Sequence, residues 1–570
     1  MNIQRFDLFR VLVAGSFVVS ACAAPAPVAE VATVAPVIAP TEAPAPTNAP
    51  TEVPAPVPTD APARDTLIVT RLSDMPTCYH PICFQTGNQY MNLQLVFNTL
   101  VKVDVDESTY IPDLADSWTV SADAKSFTFK LNPNAKWHDG TPVTSDDVIY
   151  TAATAAQMAD DYVGTYPVKN WLVVDGADAV KGTAKVPAGL VKIDAHTVTF
   201  NLAAANAVWL RNLTDPAYVI LPKHLLDGKN AAALKADGFT MGDGTVGSGP
   251  YKLVKFTPDV AAEYVANADY HKGSPKIPKL IYRLGVESTT AAAQLQTGEL
   301  DMVFDLVPGD FDVLKDVEGI KAQRVPGVGQ QSLQFPVDNP QVADKRIRQA
   351  IYYGFDRRTL LDTVFQGAGH LQWIWLAFDE NNPDLDQYKF DPDKAKKLIA
   401  DAVKDGKFKL DQPIRVIYIG DEPGWSDIAT ALQNDLSALG LTVELSPLDG
   451  AGWEAMLPDH TKYEITLQCC GSNLYPDKAS GAFNCETPRG TNYANCALDQ
   501  LFVDARETGD AAKQASIYRQ IADIMNEDLP YNWLWAVANT HANRTFIGDF
   551  TYYPNARESF AQIEKWALLP

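Results

Sequence analysis

A histidine beside an aspartate can be half of a general-base pair, and His138-Asp139 supplies one. Gly140 follows it and marks a turn between a strand and a helix, while Trp137 before it suits packing. No Gly-x-Ser-x-Gly elbow accompanies the pair, so it reads as structural. Gly242 to Gly247 spells the letters of a dinucleotide-binding fingerprint. A pyrophosphate site needs a helix N-terminus after those glycines, and Gly249-Pro250 with a strand pattern stands there instead. The eight histidines are scattered, with no pair at the spacing of helical metal ligands. Carboxylates are too abundant for a glycosidase pair to stand out. No cofactor, no metal held by protein ligands and no catalytic residue is therefore expected; the chain reads as a binder, not an enzyme.

The aromatic residues point to binding. Trp373 and Trp375 share parity on a short extended run, and so do Trp533 and Trp535. Trp425 follows Pro423-Gly424, after a strand pattern at Ile414 to Ile419. The carboxyl ends of parallel strands face the crevice of an open sheet, which places Trp425 in a loop against ligand. Trp373 and Trp375 are expected as further ligand contacts, and Trp533 and Trp535 as packing. Ser472, Asn473, Tyr475 and Tyr79 complete the candidate ligand-binding set.

Of the seven cysteines, Cys22 stands apart. Arg5 and Arg10 lie in a short polar segment, and Val11 to Val19 is an apolar run too short to span a bilayer. The run ends in Val19-Ser20-Ala21-Cys22, which resembles a bacterial lipobox: an aliphatic residue, two small ones, then the cysteine that takes lipid. Residues 1–21 read as a lipoprotein signal peptide and Cys22 as the lipidated mature N-terminus. The other six are Cys78, Cys83, Cys469, Cys470, Cys485 and Cys496. An oxidising compartment makes them disulfide candidates. Cys78–Cys83 is a plausible pair. The later four are expected to make two bridges within 469–496, of open connectivity.

Residues 22–63 follow as a tether: positions 23 to 63 hold eleven prolines and no aromatic, Lys or Arg. The whole chain has 570 residues, more than one core of ~250–300 residues can hold, so two lobes are expected. A net charge of -23 argues against nucleic acid and against a basic face on anionic lipid. In the body, Leu67-Ile68-Val69 is a buried-strand run, and Phe127, Phe129 and Leu131 share one strand face. Thr144 with Asp147 three residues on predicts a helix start. Asp344 opens a helix with Ile347, Ala350, Ile351 and Gly354 inward. Asp391-Pro392 opens another, with Ala395, Leu398, Ile399 and Ala402 inward. Strand Ile414 to Ile419, helix Ile428 to Leu439 and strand Leu441 to Leu445 predict a βαβ unit in a parallel sheet.

Seven ordered segments resemble family 5 of the bacterial extracellular solute-binding proteins, which holds oligopeptide-, dipeptide- and nickel-binding members. They are Pro112 to Ala115, Ser117-Trp118, Phe127 to Phe129 and, most specifically, Lys136 to Thr144 with Asp147-Val148; then Gly247 to Tyr251, Arg346 to Asp356, and Phe390 to Ala395. The resemblance implies an α/β, two-lobed periplasmic-binding-protein-like fold with an extra subdomain inserted in the first lobe. Lobe one would take 64–330, with the insert at about 106–240. Lobe two would take 331–535, and 536–570 would return to lobe one. It implies a monomeric, extracytoplasmic receptor, held at the membrane through lipid alone. Such a receptor closes on a small solute and delivers it to an ABC permease and ATPase complex. Peptide-binding members carry an aspartate four residues before a proline in lobe two, which pairs with the ligand's α-ammonium. Aligned on Pro476, that place holds Ser472, and Cys469 stands where oligopeptide binders often have tryptophan. Serine cannot neutralise an ammonium, and Asp477 is the nearby acid that would substitute if the loop shifted register. A peptide-like solute is the first reading. An oligosaccharide stacking on aromatic faces is the alternative, and a surface-anchored hydrolase a remoter one.

Overall fold

A computed structural model describes residues 64–72, 89–157, 171–183, 185–229, 245–375, 384–422, 424–472, 475–483, 485–486, 490–555 and 558–569. Eleven strands form one mixed sheet running through both lobes. In chain order they are β1 (Thr66–Arg71), β2 (Tyr251–Thr257), β3 (Ala261–Ala266), β4 (Lys279–Arg283), β5 (Met302–Phe304) and β6 (Ile320–Gln334). After these come β7 (Gly369–Leu371), β8 (Ile414–Ile419), β9 (Val443–Leu448), β10 (Ile465–Ser472) and β11 (Tyr531–Arg544). The order across the sheet is β9-β8-β10-β6-β11-β5-β1-β4-β3-β2, with β7 also on β11. Lobe one centres on β1, whose Leu67 and Val69 are fully buried. β1 is parallel to both its neighbours, β4 and β5. Lobe two centres on β8, parallel to β9 and β10.

Two long strands join the lobes. β6 and β11 pair antiparallel from Ile320↔Arg544 to Gln334↔Tyr531, with a shift of register between Val325 and Gly329. One half of the ribbon carries β5 on its flank, and the other carries β10 and β7. The bulge at 326–328 is where a bend costs least, because the ladder is already interrupted there. The expected lobe boundaries at 330/331 and 535/536 fall inside these two strands.

Within the expected insert, a separate four-stranded sheet runs in the order Ala115–Val120, Ser126–Leu131, Thr197–Asn201, Leu190–Asp194. Phe127, Phe129 and Leu131 are buried on one face, as their alternation predicts. The helix Ser145–Gln157 starts where Thr144 donates its backbone N–H to Asp147 Oδ2 at 2.8 Å. Trp137, Trp171 and Trp209 pack in a core continuous with that of lobe one, which Phe560, Ile563 and Trp566 of the C-terminal segment also enter.

In lobe two the predicted βαβ unit is present as β8, the helix Trp425–Ala438 and β9. Asp344 and Asp391 cap the helices Lys345–Gly354 and Pro392–Lys404. The predicted inward residues are buried except Leu398, which is partly buried. Gly354 lets the neighbouring Leu439 pack close: a Cβ there would meet Leu439 Cδ1 at 2.4 Å. Among the described residues no helix is long and apolar enough to cross a membrane, and no cluster of potential metal ligands occurs.

Candidate functional site

Strand ends from the two lobes meet at the hinge. In lobe two, β10 bonds to β6 from Thr466 to Ser472 but to β8 only at Ile465 and Thr466. Among the described residues no strand covers its other edge from Leu467 to Ser472. Ser472 lies opposite Gly329, beside the bulge, so this open edge runs towards lobe one. A bare strand edge presents a row of backbone donors and acceptors, and an extended chain can pair with it.

Lobe one turns the carboxyl ends of β1 and β5 towards the same hinge. Arg71 is in register with Phe304 at those ends. The Arg71 Nε donates to Asp305, which holds a left-handed backbone at φ 60°. Aspartate tolerates that conformation better than most residues. Behind the pair lies His541, stacked on Tyr552 with ring centroids 4.4 Å apart. Burial pushes His541 down to about 4, so its ring is neutral at neutral pH.

The insert touches lobe two directly. The Tyr475 hydroxyl donates to Asn212 Oδ1, and the Arg211 guanidinium lies 5.3 Å from the Tyr475 ring centroid. Arg211 Nη2 also donates to Glu107 at 2.9 Å. The Ala207 N–H donates to the Arg506 carbonyl at 2.7 Å. Arg506 in turn pairs with Asp477 at 3.1 Å. Burial pushes Asp477 up to about 6, and the guanidinium of Arg506 pulls it back.

The predicted residues distribute unevenly around this apposition. Tyr475 lies at the contact between insert and lobe two, and the backbone of Ser472 at the open edge. The expectation of Trp425 in a loop is corrected: it is the first residue of the helix Trp425–Ala438, 2% exposed, its ring edge-on to Trp453 at 6.3 Å. A Cβ at Gly424, the residue before this helix, would sit 2.7 Å from the Phe365 ring. Trp375 is also fully buried and donates its indole N–H to the Pro476 carbonyl at 3.0 Å. Neither ring has a face open to a solute in this arrangement. Trp373 is partly buried and lines a pocket elsewhere on lobe two. Trp533 and Trp535 are buried, as packing predicts. Asp477 is taken by Arg506 rather than standing free for an ammonium. Cys22, Cys78, Cys83, Tyr79 and Asn473 lie outside the described residues, as do the side chains of Cys469, Cys470 and Ser472. Cys485 and Cys496 are bonded, with Cα atoms 5.0 Å apart.

His138 has the structural role its context suggests. Its Nδ1 accepts the Gly247 N–H at 3.2 Å, and its Nε2 faces the Gly249 carbonyl at 3.1 Å. Burial pushes it down to about 4, which keeps Nδ1 an acceptor at neutral pH. Sequence reasoning missed Arg71, Asp305 and Arg211. The rule that strand carboxyl ends face the crevice would have found Arg71 one turn of logic after Leu67 to Val69. The three-residue β5 before Asp305 is too short to carry a pattern.

Residues 109–491 match the family model described as bacterial extracellular solute-binding proteins, family 5 Middle. The chain is similar to di/tripeptide-binding protein 1 of Pseudomonas aeruginosa (strain UCBPP-PA14), 25% identical over 513 residues that cover 86% of this chain and 92% of that protein. It is 25% identical to the dipeptide-binding protein of Escherichia coli (strain K12), covering 80% and 86% of the two chains. Its fold is similar to that of the oligopeptide-binding protein AppA from Bacillus subtilis in complex with a nonapeptide: TM-score 0.72, 23% identity, 89% of this chain and 99% of that one.

Proposed function

The chain belongs to the bacterial extracellular solute-binding proteins of family 5, and from that premise we propose that it is the substrate-binding component of an ABC importer for peptide-like solutes. The open edge of β10 carries this reading. An extended peptide laid along Leu467 to Ser472 would bond through its backbone whatever its sequence, as importers of mixed peptides require. The peptide-binding names of the relatives agree with it. Closure would bend the β6–β11 ribbon at its bulge and bring Arg71 and Asp305 over the bound chain. Ser472, Asn473 and Tyr475 from lobe two, with Tyr79 from lobe one, are the side chains we assign to the solute. The protein binds and releases its solute unchanged, and it acts as a monomer delivering to a permease and ATPase complex.

The amino terminus of the ligand is where this receptor departs from its relatives. Ser472 replaces the family carboxylate, and Asp477 is already paired with Arg506. An ammonium buried there would lack a counter-charge, which is costly. Binding should therefore tolerate a blocked amino terminus. Calorimetry with matched free and N-acetylated peptides tests this, and affinities within about threefold of each other are expected. Binding confined to the free amine would show that a carboxylate elsewhere, such as Asp305, clamps the ammonium. Saturation by oligosaccharides and not by peptides would favour the alternative solute.

We place the lipid on Cys22, with 22–63 as the tether. Cys22→Ser should move the protein from the membrane to the soluble fraction of its host. Retention on membranes with labelled fatty acid still incorporated would contradict that placement.

A further inference from the structure

Arg357 is a buried cation held only by neutral oxygens. Its Nη1 donates to the Tyr352 hydroxyl at 2.7 Å and to the Gln372 and Trp533 carbonyls at 2.6 and 3.0 Å. Its Nη2 donates to the Gln387 and Tyr388 carbonyls, both at 3.0 Å. Each of these partners is a hydroxyl or a carbonyl, and burial lowers the pKa of the guanidinium. A buried charge without a counter-ion casts its field into the nearest opening.

That opening is a pocket of about 430 Å3 on lobe two. Arg358 and Lys389 add two more cations to its wall, and His370 a third basic group. The one carboxylate in the lining is Asp356, whose oxygens accept from the Thr359 N–H and hydroxyl at 3.0 and 2.8 Å. The lining thus sets Arg357, Arg358 and Lys389 against Asp356, with Arg358 also paired at its exposed end to Asp362 at 3.3 Å, which leaves a positive balance on a chain of net charge -23. Two aromatic residues also line it: Phe390, 47% exposed, and Trp373, whose indole N–H has no acceptor. β7 contributes to the lining and lies on the flank of β11, across the β6–β11 ribbon from β10. The pocket is thus separate from the proposed solute edge.

We propose that this pocket is a second binding site, for a small organic anion with a flat apolar body, of the aromatic carboxylate class. The carboxylate would face Arg358 and Lys389 under the field of Arg357, and the body would lie between Trp373 and Phe390. Titration of the full mature protein with 2-naphthoate, read by calorimetry, tests it. Saturable one-to-one binding is expected in the presence of saturating peptide as well as without it. Arg358→Ala combined with Lys389→Ala should weaken it about tenfold, and so should Phe390→Ala, with melting temperature unchanged. The uncharged analogue 2-naphthalenemethanol should bind at least about tenfold more weakly. Equal binding of the uncharged analogue would overturn the proposal, as would binding that all three substitutions leave alone. Binding of inorganic phosphate in preference to 2-naphthoate would also overturn it, by reducing the site to a patch of charge.

Discussion

Asp477 and Arg506 illustrate how much one pairing decides. The Asp477 side chain is 9% exposed and that of Arg506 25%, so their ion pair is largely removed from water. Burial raises Asp477 to about 6, above its ordinary 3.8, with Arg506 as the opposing influence. The folded state therefore holds this proton more tightly than the unfolded chain does. The contribution of the group to stability is greatest below its ordinary pKa and is lost as pH rises through about 6. Arg506→Met removes the guanidinium that makes the ionised form tolerable. It should cost about 2–3 kcal/mol at about pH 7, where the wild-type carboxylate is charged, and much less at about pH 4.5, where it is protonated. Urea unfolding at the two pH values measures this, and an equal cost at both would mean that packing rather than charge is lost. The reading of Ser472 rests on its place four residues before Pro476 in the sequence, and its side chain lies outside the described residues. The sequence puts Trp425 in a loop because its exposure depends on the glycine before it: Gly424 takes φ 79°, and the helix begins at Trp425, three residues before the start at Ile428 that the apolar pattern suggests.

Among the elements, the ribbon of β6 and β11 is the connection on which movement of the lobes depends. Its two register shifts, Val325/Gly329 and Gln331/Ser332, lie within ten residues of sequence. Gly327 sits in the first, and a Cβ there would come within 2.1 Å of the Val537 carbonyl and 3.0 Å of Asn539 Oδ1. Gly329, two residues further on, has open space. Gly327→Ala should therefore cost about 1–3 kcal/mol and alter the distribution of lobe separations, whereas Gly329→Ala should do neither. Chemical denaturation and small-angle scattering of the two variants check this; a Gly327→Ala protein with wild-type stability and scattering would move the hinge elsewhere. The βαβ unit, the capped helices and the Phe127, Phe129, Leu131 face were readable because burial of one face imposes a period on the sequence. The bulge was not, since a register shift leaves no period behind. The edge of β10 was not readable either, because which strand lies beside it is decided by residues far away in the chain.

At the scale of the whole molecule, the lobes, the insert and the sheet order serve one geometry: a bare strand edge on one side of a hinge and two strand ends on the other. The two-lobed architecture was legible from length and from the ordered family segments, while the contact of Tyr475 with Arg211 and Asn212 needed the insert placed against lobe two. The proposed function requires capture of an extended backbone along β10. Hydrogen–deuterium exchange, with and without a saturating mixed tetrapeptide library, reads that edge amide by amide. We expect slowed exchange in the segment Leu467 to Ser472 when peptide is bound, with little change in β8 and β9 behind it. Peptide binding that leaves exchange across Leu467 to Ser472 unchanged would contradict the account.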